Sequence, residues 1–446
     1  MHKGIPIGIA AGIIALGAAA APPIIGTITQ NEFASVRERV TAASPFVHSW
    51  NVTAFDQGYV EATATSELTV GHPDADERLT IVLDHRVRHA PNAGTDLAHI
   101  QTRPRIPEGD PRRTVRALYG EDREPLQIEI RIGLLGDQTV TMHSPASDGM
   151  RAVDGARVGW RGLDATATIG RGERDFTYRI EMPGLRLASG DGGLSALAIE
   201  AVEARGSYKA TAYDNVWTGG ASGRIERIAI QSPEGDIALA DLRFSDDARL
   251  RDDLFGFALK VSAAALDTPD YDLTEMQLDI SGERIAPAFL QALQQARNSG
   301  DEPIDGDEVM TRLRAAPWSE IAAHEPLIRL DTFEAKTPDG RIAISARAGL
   351  ADPGDGQQGI GMNDLMGLAQ GEIDATAPER MVIDAVARSI AMRGGTDPAT
   401  AERNANNTLL TLAAQGLLTI EGGQIQANAG YDRGAISING NPLFGG

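Results

Sequence analysis

The sequence predicts a mainly β protein of the α+β class: an N-terminal transmembrane helix, then long antiparallel β-meander sheets, with a few helices in the C-terminal half. Three observations carry this. The chain opens with a long uncharged run, strand-period alternation recurs through most of the remaining sequence, and helix-period patterns are confined to the second half. The predicted divisions are 1–27 as a signal anchor, 28–280 as the first part of a β-rich ectodomain, 281–330 as a helical pair, and 331–446 as a β/helical C-terminal part.

After Met1-His2-Lys3, residues Gly4 to Thr27 carry no charged side chain. About 20 apolar residues span a bilayer as a helix. Gly4, Gly8, Gly12 and Gly17 would weaken such a helix in water, whereas lipid-embedded helices tolerate glycine and proline. A cleaved leader is the alternative, because Ala19-Ala20-Ala21 offers small residues, but Pro22-Pro23 follows directly and disfavours cutting. Lys3 lies on one side and the first acidic residue, Glu32, on the other, so the positive-inside bias leaves the bulk of the chain outside the cytoplasm.

The strands follow from period-2 alternation. Leu126, Ile128, Ile130 and Ile132 alternate with Gln127, Glu129 and Arg131, and Tyr178, Ile180 and Met182 alternate with Thr177, Arg179 and Glu181. The same signal recurs at Ile228/Ile230, Ile237/Leu239, Ile342/Ile344 and Ile436/Ile438, with Gly, Pro, Asp or Asn clusters between. Strands this close together favour antiparallel meanders, since parallel crossovers would need intervening helices. Helices are expected at Pro287–Asn298, Asp307–His324, Pro378–Arg393 with Gly394-Gly395 as its stop, and Pro398–Gln415 ending at Gly416. The segments 91–113, 300–306 and 353–361 read as loops.

Composition narrows function by exclusion. A net charge of -21 argues against nucleic acid and against broad contact with anionic lipid, both of which call for basic surface. The chain has no cysteine, which removes disulfides, thiol nucleophiles and thiolate metal sites. His85 and His89 are four apart, a metal-ligand spacing on a helix, but they lie in an alternating strand pattern and read as surface histidines. Asp301-Glu302-Pro303-Ile304-Asp305-Gly306 begins like a calcium loop, yet Pro303 stands at position three and the cationic Arg312 at position twelve. Gly220-Ala221-Ser222-Gly223 lacks the full nucleophile elbow and reads as a tight turn. Gly190–Gly193 and Gly359–Gly361 have neither P-loop nor dinucleotide spacing. No catalytic, cofactor-binding or metal-ligating residue is assigned, and no cofactor is expected.

The ending Gly416-Leu417-Leu418-Thr419-Ile420, the strand Ile425–Tyr431 and Gly434 through Asn439-Gly440-Asn441-Pro442-Leu443 resemble the closing signature of the YdgA-like family of Gram-negative envelope proteins, which carry a domain of unknown function. Phe55-Asp56-Gln57-Gly58-Tyr59 matches that family's aromatic-x-x-Gly-aromatic element in part, with Gln57 where a basic residue is usual and Val60-Glu61 in place of Phe-Ser. The resemblance implies an uncleaved inner-membrane anchor through residues 4–27 and a periplasmic bulk, and it carries no catalytic residue. In purely structural terms, Phe55, Gly58 and Tyr59 close a hairpin, and Asn439-Gly440 is a hairpin-turn dipeptide.

Two functions from different classes are therefore expected. One-face-apolar strands with few aromatics or helices to cover them suggest a curved sheet that binds lipid or an unfolded polypeptide, as an envelope carrier or assembly factor similar in layout to anchored β-groove lipid-transfer proteins. The same strands could equally cover one another as a sandwich. The alternative function is an inner-membrane interaction scaffold or homo-oligomer contacting its partner through the helices of 287–324 and 378–415. An enzyme assembled from scattered residues ranks behind both.

Overall fold

The computed structural model describes residues 47–57, 61–70, 79–89, 96–105, 110–120, 123–147, 151–153, 156–189, 195–213, 216–269, 271–297, 316–354, 361–394 and 397–444. The chain is mainly β, and every strand pairing described below is antiparallel. It divides into two compact units, residues 1–210 with 221–238, and residues 211–220 with 239–446. The uncharged run 4–27 lies outside the described residues, and among those described no helix is long and apolar enough to cross a membrane.

In the first unit, β1 (Val47–Gln57), β2 (Glu61–Val70), β3 (Leu79–His89), β4 (Ala98–Arg105), β5 (Gln127–Ile132) and β6 (Gln138–Ser144) form a continuous meander. Next come β7 (Arg151–Val153), β8 (Ala156–Trp160), β9 (Leu163–Ile169), β10 (Asp175–Ser189) and β11 (Ala196–Ala210). β6 continues onto β9, and β9 and β8 lie along successive stretches of β10, which pairs with β11 on its other edge. Between β8 and β9 the chain bends at Gly162, whose φ of +103° suits a residue without a Cβ.

Directly paired residues share a face. The register therefore aligns Ala64, His85, Thr102, Ile128, Met142 and Ala165 in one row across β2, β3, β4, β5, β6 and β9. Ala62, Val87, Ile100, Ile130, Val140 and Ala167 form the next. These apolar side chains are the core of the meander, and Leu68, Ile81 and Leu83 join them. A second cluster packs Leu118 and Tyr119 of helix α1 (Asp110–Tyr119) against Trp160, Leu163, Met182 and Leu185.

The segment 91–113, expected as a loop, contains β4 and the start of α1. Arginine and proline mask both: β4 keeps Ala98, Ile100 and Thr102 in phase on the buried face despite Pro104, and α1 buries Leu118 and Tyr119 in its last turn.

Strands β12 (Trp217–Gln231) and β13 (Ile237–Arg251) pass from one unit to the other in sequence. The second unit continues with β14 (Leu254–Asp267), β15 (Asp272–Ile285), helices α2 (Pro287–Arg297) and α3 (Trp318–Ala323), β16 (Leu327–Thr337), β17 (Gly340–Leu350) and β18 (Ala369–Pro378). Helices α4 (Glu379–Gly394) and α5 (Pro398–Ala414) precede β19 (Thr419–Glu421), β20 (Gln424–Asp432), β21 (Ala435–Ile438) and β22 (Asn441–Phe444). β14 to β18 form a meander, β18 pairs with β20, and β20, β21 and β22 complete it, with β19 folded onto β20.

Helix α5 begins where the sequence places it. Asp397 caps it by accepting from the Thr400 N–H at 3.0 Å, and hydrogen bonding to the Thr400 side chain first, and to its N–H second, holds the Asp397 carboxyl below its ordinary range. It stops at Gly416, which adopts φ +73°.

Candidate functional site

The two units treat the same alternation differently. In the first, the apolar face is closed: Leu68, Ile81, Leu83, Val87, Ile100 and Ile130 are all buried. In the second it is half-buried.

Register in the second unit places Val261, Leu278, Phe333, Ile344, Ala375 and Ala427 in one row across β14, β15, β16, β17, β18 and β20. Leu259, Ile280, Leu330, Ala346, Ile373, Ala429 and Ile438 form the adjacent row and reach β21. None of these thirteen side chains is fully buried, and Ile373 is 43% exposed. In the row beyond, Ile328 is 48% exposed. At a strand spacing of about 4.8 Å, the stretch from β15 to β21 is ~24 Å wide.

Among the described residues, helices pack at the ends of this face. At the hairpin ends, Val382 and Ile383 of α4 and Leu409 and Leu412 of α5 pack on Ile425 and Ala427. At the opposite ends, Phe289, Trp318 and Ile321 of α2 and α3 pack with Ala286 and Leu365. Arg388 of α4 donates to the Tyr271 hydroxyl and lies 4.6 Å from its ring centroid, which fastens α4 to the β14–β15 connection.

The other face of the sheet is charged and solvated. Arg347 pairs with Glu372 at 2.5 Å, Arg329 with Glu283 at 2.6 Å and Lys336 with Glu275 at 2.5 Å, and Asn428 donates to Asp374 at 2.7 Å. Exposed pairs of this kind add little stability. Their role is to make this face unsuited to apolar contact, so the open face is the asymmetric feature.

Two polar clusters in the first unit carry the residue types from which catalytic sites are built. In the first, Trp50 Nε1 donates to Ser66 Oγ at 2.8 Å, Ser66 Oγ lies 2.8 Å from His85 Nε2, and His85 Nδ1 lies 2.9 Å from Thr102 Oγ1. Serine, histidine and an orienting group in line have the bond pattern of an activated nucleophile. Ser66, however, is 0% exposed, so no substrate reaches it, and the line acts as a polar strut across β1 to β4. Burial holds His85 neutral, with its pKa lowered to about 4 against a weaker opposing pull from Asp84. A neutral imidazole satisfies both hydroxyls, one nitrogen donating and the other accepting.

In the second cluster, Ser144 Oγ donates to the Pro125 carbonyl at 2.7 Å and accepts from Trp160 Nε1 at 2.9 Å. Its single proton is thereby used, so Tyr119 is the donor in the 3.2 Å contact between the two hydroxyls. Burial raises the Tyr119 pKa, consistent with a protonated donor. Both clusters are structural.

A family model described as a bacterial protein of unknown function, DUF945, matches residues 1–444. The chain belongs to the DUF945 family. No curated protein and no solved structure matches it.

In this DUF945 chain the C-terminal signature residues converge. Asn439 and Gly440 form the β21–β22 turn with φ of +48° and +76°, as their dipeptide type predicts. Asn439 Oδ1 accepts from the Asn428 N–H at 2.8 Å, and the side-chain amides of Asn439 and Asn441 donate to the Gly416 carbonyl at 3.2 and 3.4 Å. The signature ties the end of α5 to β20 and β21, which makes it a structural lock.

The other candidates separate as follows. His85 and His89 lie on a strand as expected, but His85 is buried and both its ring nitrogens are bonded, which corrects the surface assignment. Gly220-Ala221-Ser222-Gly223 lies inside β12 and is not a turn. Phe55 sits on β1 opposite Ala64, while Gly58 and Tyr59 lie outside the described residues. So do 301–312, Gly190–Gly193 and Gly359–Ile360. Among the described residues no group of three or more metal-type ligands occurs.

Proposed function

We propose that this DUF945 protein holds an apolar ligand, the acyl chains of a lipid, on the open sheet face of its second unit, and that it does so in the cell envelope while anchored through residues 4–27. The observation that carries the reading is the contrast in burial: the same alternating strands bury their apolar face in the first unit and leave Ile280, Leu330, Phe333, Ile344 and Ile373 partly open in the second. Apolar area of this kind marks an interaction surface. Covering ~300 Å² of it would return about 7 kcal/mol before association costs. Acyl chains fit the floor better than a polypeptide does, because both rows are free of hydrogen-bonding side chains from β14 to β20 and a bound peptide would bury unpaired amides there. The resemblance to the YdgA-like family supports the envelope setting, as does the uncharged N-terminal run.

The test is to purify the full chain in mild detergent and extract bound lipid, beside the variant Leu278→Glu with Ile344→Glu. Near-stoichiometric phospholipid in the wild type that drops to the detergent background in the variant supports the proposal, and equal lipid in both refutes it. The exposed Met392 and Leu410 on α4 and α5 favour a second reading, a self-associating scaffold. A lipid-free dimer dispersed by Met392→Asp with Leu410→Asp would establish that reading instead.

A further inference from the structure

The connection between β5 and β6 departs from the turn-residue preference that four other described connections follow. Its turn runs Gly133-Leu134-Leu135-Gly136, closed by Gly136 N–H donating to the Gly133 carbonyl at 3.0 Å and by Gly133 N–H donating to the Asp137 carbonyl at 2.8 Å. Gly136 takes φ +83°, which supplies the left-handed residue such a loop needs. Leu134 and Leu135 occupy the two central positions with 69% and 71% of their surface exposed. Nothing in the turn geometry requires leucine there, and central turn positions ordinarily take Asn, Asp, Ser, Pro or Gly.

Four other described connections follow that preference. Ser232-Pro233-Glu234-Gly235 joins β12 to β13, Asp252-Asp253 joins β13 to β14, Thr337-Pro338-Asp339-Gly340 joins β16 to β17, and Asn439-Gly440 joins β21 to β22. The run Ile132-Gly133-Leu134-Leu135-Gly136 is uncharged, and beneath its apex the strands are fixed by the buried Ile130–Val140 pair. The result is a convex, apolar apex.

We infer that the Leu134–Leu135 apex dips into a lipid surface and holds the first unit against the membrane. A bilayer is the occupant that the chain brings within reach. Residues 28–46 separate the uncharged run 4–27 from the start of β1, a tether of at most ~65 Å at full extension. The inference therefore rests on the anchor reading. A convex apex of two adjacent leucines suits a fluid interface, where apolar side chains bury at the headgroup–acyl boundary without a preformed pocket. With no basic residue between Ile132 and Gln138 and Asp137 beside the turn, the contact is apolar and does not depend on anionic headgroups.

The absence of cysteine makes the test clean, because one introduced cysteine is the only label site. The full chain carrying Leu135→Cys, and separately Asp339→Cys at another exposed turn, is labelled with an environment-sensitive fluorophore. Each is reconstituted into phosphatidylcholine vesicles containing nitroxide-labelled lipid and floated on a gradient. The expected result is that the chain floats, the label at 135 shifts to the blue and loses most of its emission to the lipid nitroxides, and the label at 339 does neither. A floating chain whose label at 135 stays in water, or shifts to the blue without quenching because a protein pocket holds it, overturns the contact and leaves the anchor standing. Equal quenching at 135 and 339 also overturns it. A chain that does not float overturns the anchor and the contact together.

Discussion

Acidifying the first unit should unlock it through His85. The imidazole is buried between Ser66 and Thr102 and bonded to both hydroxyls, so its charged form is desolvated in the core and the weaker pull of Asp84 does not offset that. Its pKa falls from the ordinary 6.5 to about 4 in the folded chain. The unfolded chain therefore binds more protons between these values, and stability is complete above pH 6.5 and lost as pH falls toward 4. The full drop is worth about 3 kcal/mol, of which about 2 kcal/mol is lost by pH 5. Carboxylates also titrate in this range, so the quantity to measure is a difference between proteins. Urea unfolding followed by tryptophan fluorescence, with Trp50 donating to Ser66 as a reporter in the same strut, is run at pH 7.5 and pH 5 on the wild type and on His85→Gln. The wild type should lose about 2 kcal/mol more than the variant over this interval. Parallel pH dependence in the two proteins would mean that His85 is not held neutral and would refute the strut.

Two other substitutions probe the packing independently. Ser144→Ala leaves Trp160 Nε1, Tyr119 OH and the Pro125 carbonyl without the partner each has now. The expected loss is about 3 kcal/mol of stability in chemical denaturation, and less than about 0.5 kcal/mol would show that these groups find other partners. Gly340→Ala combines φ +143° with a Cβ only 2.6 Å from Gln424 Nε2, so it should cost about 1–3 kcal/mol and lower the thermal midpoint of the second unit, which an unchanged midpoint would contradict.

Much of the strand pattern was legible from the residues. Alternation at 126–132 and 178–182 located β5 and β10, and proline and glycine signals located α4, α5 and the Asn439–Gly440 turn. Phase also held information about polar burial. His85 is in register with Ile81, Leu83 and Val87, and Ser66 with Ala62, Ala64 and Leu68, so both belonged to the core face. Their meeting across β2 and β3 was not legible, because it depends on register between strands. The difference between the closed and open faces was hidden for a related reason. Ile128–Ile130 and Ile342–Ile344 alternate identically, and only the packing of other elements against them decides which face stays open to a ligand. The α1 helix is not legible in the sequence because its apolar stripe is short, ending in Leu118 and Tyr119, and is surrounded by arginine.

The central claim is that the open face of the second unit is occupied by acyl chains, and a photocrosslinker on that face tests it most directly. Photoreactive benzoyl-phenylalanine replaces Phe333, at the middle of the half-buried row between Leu278 and Ile344. The full chain is then irradiated in cells and examined by mass spectrometry. The account predicts adducts with the mass of phospholipid or fatty acyl groups at this position and none when the same residue replaces Lys336 on the charged face. Adducts with polypeptide alone, or no adduct at Phe333, would contradict it.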